Sequence, residues 1–368
     1  MWEYIHGGSS YRAEKIELDM SVNLNAFGLP SSVKEAVISN MDKAVEYPDP
    51  DCLELTNEIV DWEKRHSGYE LIDQQIICGN GASELINAAV TASGASSALV
   101  QTPIFYGYER AVRNSGIKLI RGDSLAAMPG VRLRTDKDGR YFMPTMEMAE
   151  QVRTTRAGLV ILCNPSNPTG SCIREDVLEE IVKAAKEAGS RIIIDECFLP
   201  ICEDYKERTA LKFLKDYPDI MIIRSLTKLY SMPGIRSGYA ISGSRYWEED
   251  IRRALPEWNM GSLVQLASIA ALRDDRYLEE SLAYIRQEKD RLMQALLFMG
   301  LDLIPGRANY LMIRSRDTDL KAALLEKGIL IRALDNYAGL FPKGFYRICV
   351  RKKEDNDRLI AAVRECIP

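Results

Sequence analysis

From Gln74 onward the chain alternates short apolar runs with longer amphipathic stretches. The runs Gln75–Cys78, Ala98–Gln101, Lys118–Arg121, Leu159–Cys163, Arg191–Ile194, Ile220–Ile223 and Tyr239–Ile241 read as strands. Helical periodicity fills the intervals, most clearly over Glu175–Ala188, where Gly189 offers a C-cap. Ahead of this block the first thirty residues are irregular, with a turn at His6-Gly7-Gly8. A helix is predicted from the N-cap candidates Ser31-Ser32 through Met41, and a second from about Cys52 to His66 after the breaker Tyr47-Pro48-Asp49-Pro50-Asp51. Beyond Leu255 the rhythm changes. Leu263–Leu272 and the charged Asp275–Met299 read as long helices, and strands near Tyr310–Ile313 and Phe345–Val350 look antiparallel before a closing helix, Glu354–Cys366. The pattern predicts an α/β chain with a large, mainly parallel sheet domain over residues 27–255. Residues 1–26 and 256–368 are expected to form a smaller α+β domain with an N-terminal arm. No low-complexity linker or internal repeat interrupts the pattern.

Composition narrows the function. At 368 residues and 46% hydrophobic the chain can bury more than one core. A net charge of -5 argues against a general nucleic-acid or anionic-membrane binder. No apolar run approaches the roughly 20 residues of a membrane helix, and the N-terminus lacks the layout of a signal peptide. The eight cysteines form no CxxC pair, and several sit in strand-like runs, which fits buried thiols in a reducing cytoplasm. With only His6 and His66 present, no zinc site of the usual His/Cys kind is expected.

The candidate chemistry gathers at strand ends, where open α/β sheets bind ligands. Ile220–Ile223 empties into Arg224-Ser225-Leu226-Thr227-Lys228, and Arg236 follows the turn at Pro233-Gly234. A lysine beside an anion site suits Schiff-base chemistry with a phosphorylated cofactor, Ser225 and Arg236 holding the phosphate. Gly79-Asn80-Gly81-Ala82-Ser83-Glu84 follows a strand and opens a helix, an arrangement whose free amides cradle anions. Glu84 stands where a dinucleotide fingerprint wants a small residue, against a nicotinamide dehydrogenase. Two Asn-Pro steps hold Asn167 in a rigid turn after Leu159–Cys163, within reach of a planar ligand. Asp195, at the end of another buried strand, either caps the next helix or pairs with a protonated pyridine nitrogen. One ring of Thr102–Tyr108 can stack on a flat cofactor. Arg332 and Arg347 lie in strand-like surroundings and suit bidentate capture of a carboxylate or phosphate.

Taken in order, the Gly-rich turn, the aromatic, Asn167-Pro168-Thr169-Gly170, Asp195, Ser225-x-x-Lys228, Arg236 and a late arginine resemble the fold-type-I pyridoxal-phosphate (PLP) enzymes of aminotransferase class I/II. The resemblance covers nearly the whole chain. Within the superfamily it is closest to the histidinol-phosphate aminotransferase branch, and there to the L-threonine-O-3-phosphate decarboxylases of cobalamin synthesis. HGG, EYPDPD, GNGASE, RSLTKLYSMPGIRSGY, PGRANYLMIR and ILIRALDNYAGL carry that likeness. It implies PLP as cofactor, Lys228 as the Schiff-base lysine, Asp195 on the ring nitrogen, Asn167 on the ring hydroxyl and Phe105 stacked on the ring. The phosphate falls to Gly81, Ala82, Ser83, Ser225 and Arg236. It also implies a homodimer in which Tyr47 reaches the other subunit's site, and a small phosphorylated amino acid bound by Arg347, Arg332 and His6. Three positions depart from the pattern. Phe198 replaces the usual aminotransferase tyrosine, as the decarboxylases also do, while Ser9 and Gly261 stand where those decarboxylases carry Asn. The resemblance leaves transamination as the alternative reaction. A non-catalytic PLP-binding sensor is the remote one, since only about thirty residues precede the first helices.

Overall fold

The computed structural model describes residues 16–122, 143–304, 306–340 and 343–367. His6 and Ser9 therefore lie outside the described residues. Strand β1 (Leu18–Asp19) is followed by seven strands that form one sheet: β2 (Ile76–Gly79), β3 (Ser97–Gln101), β4 (Lys118–Gly122), β5 (Leu159–Cys163), β6 (Arg191–Asp195), β7 (Ile220–Ser225) and β8 (Gly238–Ser242). Their spatial order is β2-β8-β7-β6-β5-β3-β4. The run β7-β6-β5-β3-β4 is parallel, and β8 pairs antiparallel with both β2 and β7. β5, β7 and β8 are buried along their whole length, which explains their unbroken apolar character: helices cover both faces, so there is no solvent side to alternate with. All seven predicted strand runs lie in this sheet.

The helices that matter to the site are α1 (Ser31–Ser39), α2 (Leu53–His66), α3 (Ala82–Thr91) and α4 (Gly107–Asn114). The helix Glu175–Ala188 ends at Gly189 as expected. The predicted Ser31-Ser32 cap does not form. Pro30 occupies the N-cap position, and the Ser32 hydroxyl instead donates to Asp274 at 2.6 Å. The helix Ser262–Leu272 packs on α1 and α2 and adds Ala267, Ile269 and Leu272 to the core of the large sheet.

A second body of packing surrounds β9 (Asp302–Ile304), β10 (Tyr310–Arg314), β12 (Arg332–Ala333) and β13 (Phe345–Cys349), an antiparallel sheet in the order β12-β13-β10-β9. The short β11 (Ile329–Leu330) pairs in parallel with β1. Leu18 and Met20 thereby join a core with Leu292, Leu311, Leu324, Ile348 and Leu359. From β1 the chain runs through Ser21–Asn25 across the carboxyl end of the large sheet, where the Asn25 amide donates to the Lys228 carbonyl at 3.1 Å. This crossing brings the second body over the strand ends that carry the candidate chemistry.

Candidate active site

A cavity of about 310 Å³ opens between the two bodies, and among its lining residues are Ala82, Ser83, Phe105, Asn167, Asp195, Ser225, Lys228, Arg236, Arg332 and Arg347. Residues expected from seven separate segments of sequence thus face one space.

Two segments of main chain form the anion end. The first-turn amides of α3 have no acceptor within the helix, so Ala82 and Ser83 present N–H groups at a positive helix end. Gly81, at φ 81°, is the N-cap and does not line the cavity itself. A Cβ at that position would lie 2.9 Å from the Arg236 guanidinium, so the glycine lets that cation close over the turn. Gly238 acts similarly from β8: a Cβ there would meet the Arg224 carbonyl at 2.7 Å and the Ala82 nitrogen at 3.1 Å. Glu84 holds the turn from within the helix, accepting from the Asn80 amide at 2.7 Å and from Asn259 at 3.0 Å. Ser225 and Thr227 share a hydroxyl–hydroxyl contact of 2.7 Å at the same end.

Lys228 sits on the helical turn Leu226–Leu229 that follows β7. Burial, reinforced by the cations Arg347 and Arg236, lowers its amine to about 8. Asp195 is buried at the end of β6. Its Oδ1 accepts from the Cys197 amide at 2.8 Å, and its Oδ2 from the Tyr108 hydroxyl at 2.5 Å. Burial raises the Asp195 carboxyl above its usual range, while the Cys197 and Tyr108 hydrogen bonds oppose that. Tyr108 itself is pushed well up by burial and then by the charge of Asp195, so its hydroxyl stays protonated and donates.

The second body supplies the cations. In the β12–β13 ladder Arg332 stands directly opposite Arg347, and both are buried, at 7% and 6% exposure. Arg347 donates to Asn167 Oδ1 at 2.5 Å and to the Ser21 carbonyl at 2.8 Å, and its Nε has no partner among the described residues. Arg332 donates to Asn336 at 2.9 Å and lies 5.4 Å from the Tyr337 ring centre. Neither guanidinium forms an ion pair among the described residues. Like charges directly opposite in a ladder are destabilising, so an anion bound in the cavity would relieve the pair. Phe198 presents a bare ring against Tyr310, edge-on at 5.1 Å, where a tyrosine would have placed a hydroxyl in the cavity.

Tyr47 does not reach this cavity. It is 81% exposed, with its ring 4.8 Å from Trp258. Several lining residues were not singled out from sequence: Tyr108, Tyr337, and Asn23, whose buried Oδ1 has no partner among the described residues. Tyr108 lay in a segment read only for one stacking ring, and the spacing of three from Phe105 across a helix start was the available signal. Asn23 and Tyr337 carried none, because only the chain crossing and the second sheet bring them here.

The family model for aminotransferase class I and II matches residues 15–363. The chain belongs to that family. It is 34% identical to the threonine-phosphate decarboxylase of Salmonella typhimurium over 98% of this chain and 96% of that protein. It is 28% identical to the histidinol-phosphate aminotransferase of a Thermoanaerobacter species, covering 99% and 98%. The crystal structure of the histidinol-phosphate aminotransferase from Clostridium acetobutylicum superposes with a TM-score of 0.82 at 28% identity, over 95% of this chain and 98% of that one. The fold is that of the fold-type-I aminotransferases. Members of the aminotransferase class I and II family are PLP-dependent enzymes, as this chain is. The cavity suits the cofactor: the Asp195 carboxylate, held by Cys197 and Tyr108, retains acceptor capacity for a ring N–H, the amine of a buried lysine is lowered to about 8, and donors and a cation converge at the α3 terminus.

Proposed function

We propose that the chain decarboxylates L-threonine O-3-phosphate or a close phosphoamino acid. The opposed guanidiniums of Arg332 and Arg347, which form no ion pair among the described residues, carry the reading. A substrate with both a carboxylate and a phosphate compensates both cations, and each charge-assisted contact is among the stronger hydrogen bonds a site can make. His6 joins the phosphate contact in this proposal on the strength of the family resemblance. The 34% identical decarboxylase and the bare Phe198 ring point the same way.

In this reading Lys228 anchors the cofactor, and Ser225, Arg236 and the amides of Ala82 and Ser83 hold its phosphate. Asp195 accepts from the ring nitrogen, Asn167 bonds the ring hydroxyl and Phe105 covers a ring face. Tyr47, exposed on its own subunit, serves the second site of a homodimer. PLP, when bound, supplies an electron sink that labilises whichever α-carbon bond stands perpendicular to its ring. The residues decide which bond that is. Arg347 fixes the carboxylate, Arg332 fixes the far phosphate, and the two together set the rotation about the α-carbon. As carbon dioxide leaves, the Lys228 ammonium gives its proton to the α-carbon, and an amine near pH 8 is well matched to that transfer.

The experiment is product analysis. L-threonine O-3-phosphate is expected to yield carbon dioxide and aminopropanol phosphate. In parallel, histidinol phosphate is supplied with 2-oxoglutarate, the aminotransferase reading favoured by the relatives at 28% identity. Glutamate without carbon dioxide would reverse the assignment.

A further inference from the structure

Behind the cavity floor lies a fully buried polar cluster that the reaction above does not use. Arg224, in β7, donates to Glu196 through Nη1, to Glu63 Oε1 at 3.4 Å, to the Tyr205 hydroxyl at 3.1 Å and to Thr209 at 3.0 Å. Glu63, from α2, accepts from Tyr205 at 2.5 Å and from Tyr239 at 2.7 Å. Glu196 accepts from the Ala210 amide at 2.7 Å and from Thr209 at 2.9 Å. Arg224, Glu63 and Glu196 are at most 1% exposed.

Its chain positions are what make the cluster informative. Glu196 follows Asp195, Arg224 precedes Ser225, and Tyr239 follows Gly238. The ladder sets Arg224 opposite Tyr239 and Ser225 opposite Gly238, while the Glu196 amide donates to the Ile223 carbonyl at 2.9 Å. The Arg224 guanidinium also points at the Glu196 carbonyl, at 3.4 Å. The ends of β6, β7 and β8 are therefore each tied to this cluster one residue away.

We propose that Arg224 is a positioning residue: from behind the sheet it fixes the ends of β6 and β7 and so keeps the Asp195 carboxylate aimed into the cavity. The proposal rests on the reading of Asp195 as partner of the cofactor's ring nitrogen. Facing Asp195 are Tyr108 from α4, Cys163 from β5 and Cys197 from its own turn; facing Arg224 are Glu63, Glu196, Tyr205 and Tyr239. Among these Arg224 is the cation, and its charge opposes the rise that burial imposes on Asp195.

The test uses the full chain loaded with PLP and three variants, Arg224→Met, Arg224→Lys and Glu63→Gln. Arg224→Met is expected to raise the acid limb of the kcat–pH profile by about one pH unit, the size of a close charge's effect, with KM little changed and cofactor affinity reduced. Arg224→Lys keeps the charge and is expected to restore most of the limb. Glu63→Gln removes one of the two carboxylates that offset Arg224 and is expected to move the limb the other way, a sign that general loosening does not produce. If Arg224→Met does not fold, the Glu63→Gln shift carries the test. An unmoved limb in both Glu63→Gln and the folded Arg224 variant, with only lowered Tm, overturns the proposal. Asp195→Ala is run alongside. Near-normal turnover there would instead sink the reading of Asp195, and so separates the two failures.

Discussion

At the scale of single residues, burial sets the chemistry. Lys228 is held near 8 because water is excluded and two guanidiniums lie close. The sign follows directly: its folded value lies below the ordinary 10.5, so the amine is largely neutral above about pH 8 and protonated below it. Cofactor capture by cofactor-free protein should therefore rise with pH and level off just above 8, whereas capture by an exposed lysine would keep climbing past 10. Stopped-flow absorbance measures this, and Lys228→Ala should lack the Schiff-base band at every pH. Asp195→Ala should still bind some cofactor but lose on the order of 100- to 1000-fold in kcat, the usual effect of deleting one preorganised electrostatic contact. Arg347→Lys removes the fork that bonds Asn167 and the Ser21 carbonyl. Taking about 1.5–3 kcal/mol for a hydrogen bond to a charged group, KM for the phosphoamino acid should rise about 10- to 100-fold.

At the scale of elements, the site depends on how closely β8 approaches the α3 turn. Gly238→Ala would drive a methyl group into the Arg224 carbonyl and the Ala82 amide, both main-chain atoms that cannot rotate away. Overpacking of this kind costs about 1–3 kcal/mol, so Tm should fall and cofactor affinity should weaken together. Retained affinity with a lowered Tm would show that the turn tolerates the shift. The same element shows what the sequence could reveal. Most of the strands were legible because strands buried on both faces are uninterrupted apolar runs; Asp195 and Ser225 were legible because each ends one, and Asn167 and Lys228 because each follows a strand end within four residues. The Ser31-Ser32 cap was misread because Ser32 has a better acceptor in Asp274, far along the chain. The apposition of Arg332 and Arg347 was hidden for a similar reason: only the antiparallel register of β12 and β13 makes ladder partners of residues fifteen apart.

At the scale of the whole molecule, the cavity exists because the chain crosses at Ser21–Asn25 and folds a second sheet over the ends of the first. Tyr47 is exposed on its own subunit, and the homodimer we propose gives it a site in the partner. Mixing Lys228→Ala with Tyr47→Ala chains tests this: a hybrid dimer holds one site with both lesions and one with neither, so activity should exceed that of either parent. No recovery from a mixture shown to exchange subunits would contradict shared sites. The central claim is that the bond to the carboxylate breaks and the bond to hydrogen does not. The most direct measurement is turnover of L-threonine O-3-phosphate in heavy water, followed by mass and NMR analysis of product and recovered substrate. The account predicts aminopropanol phosphate with one deuterium at the former α-carbon and recovered substrate with its α-hydrogen intact. Loss of that hydrogen from the recovered substrate, with a keto product and no carbon dioxide, would contradict it.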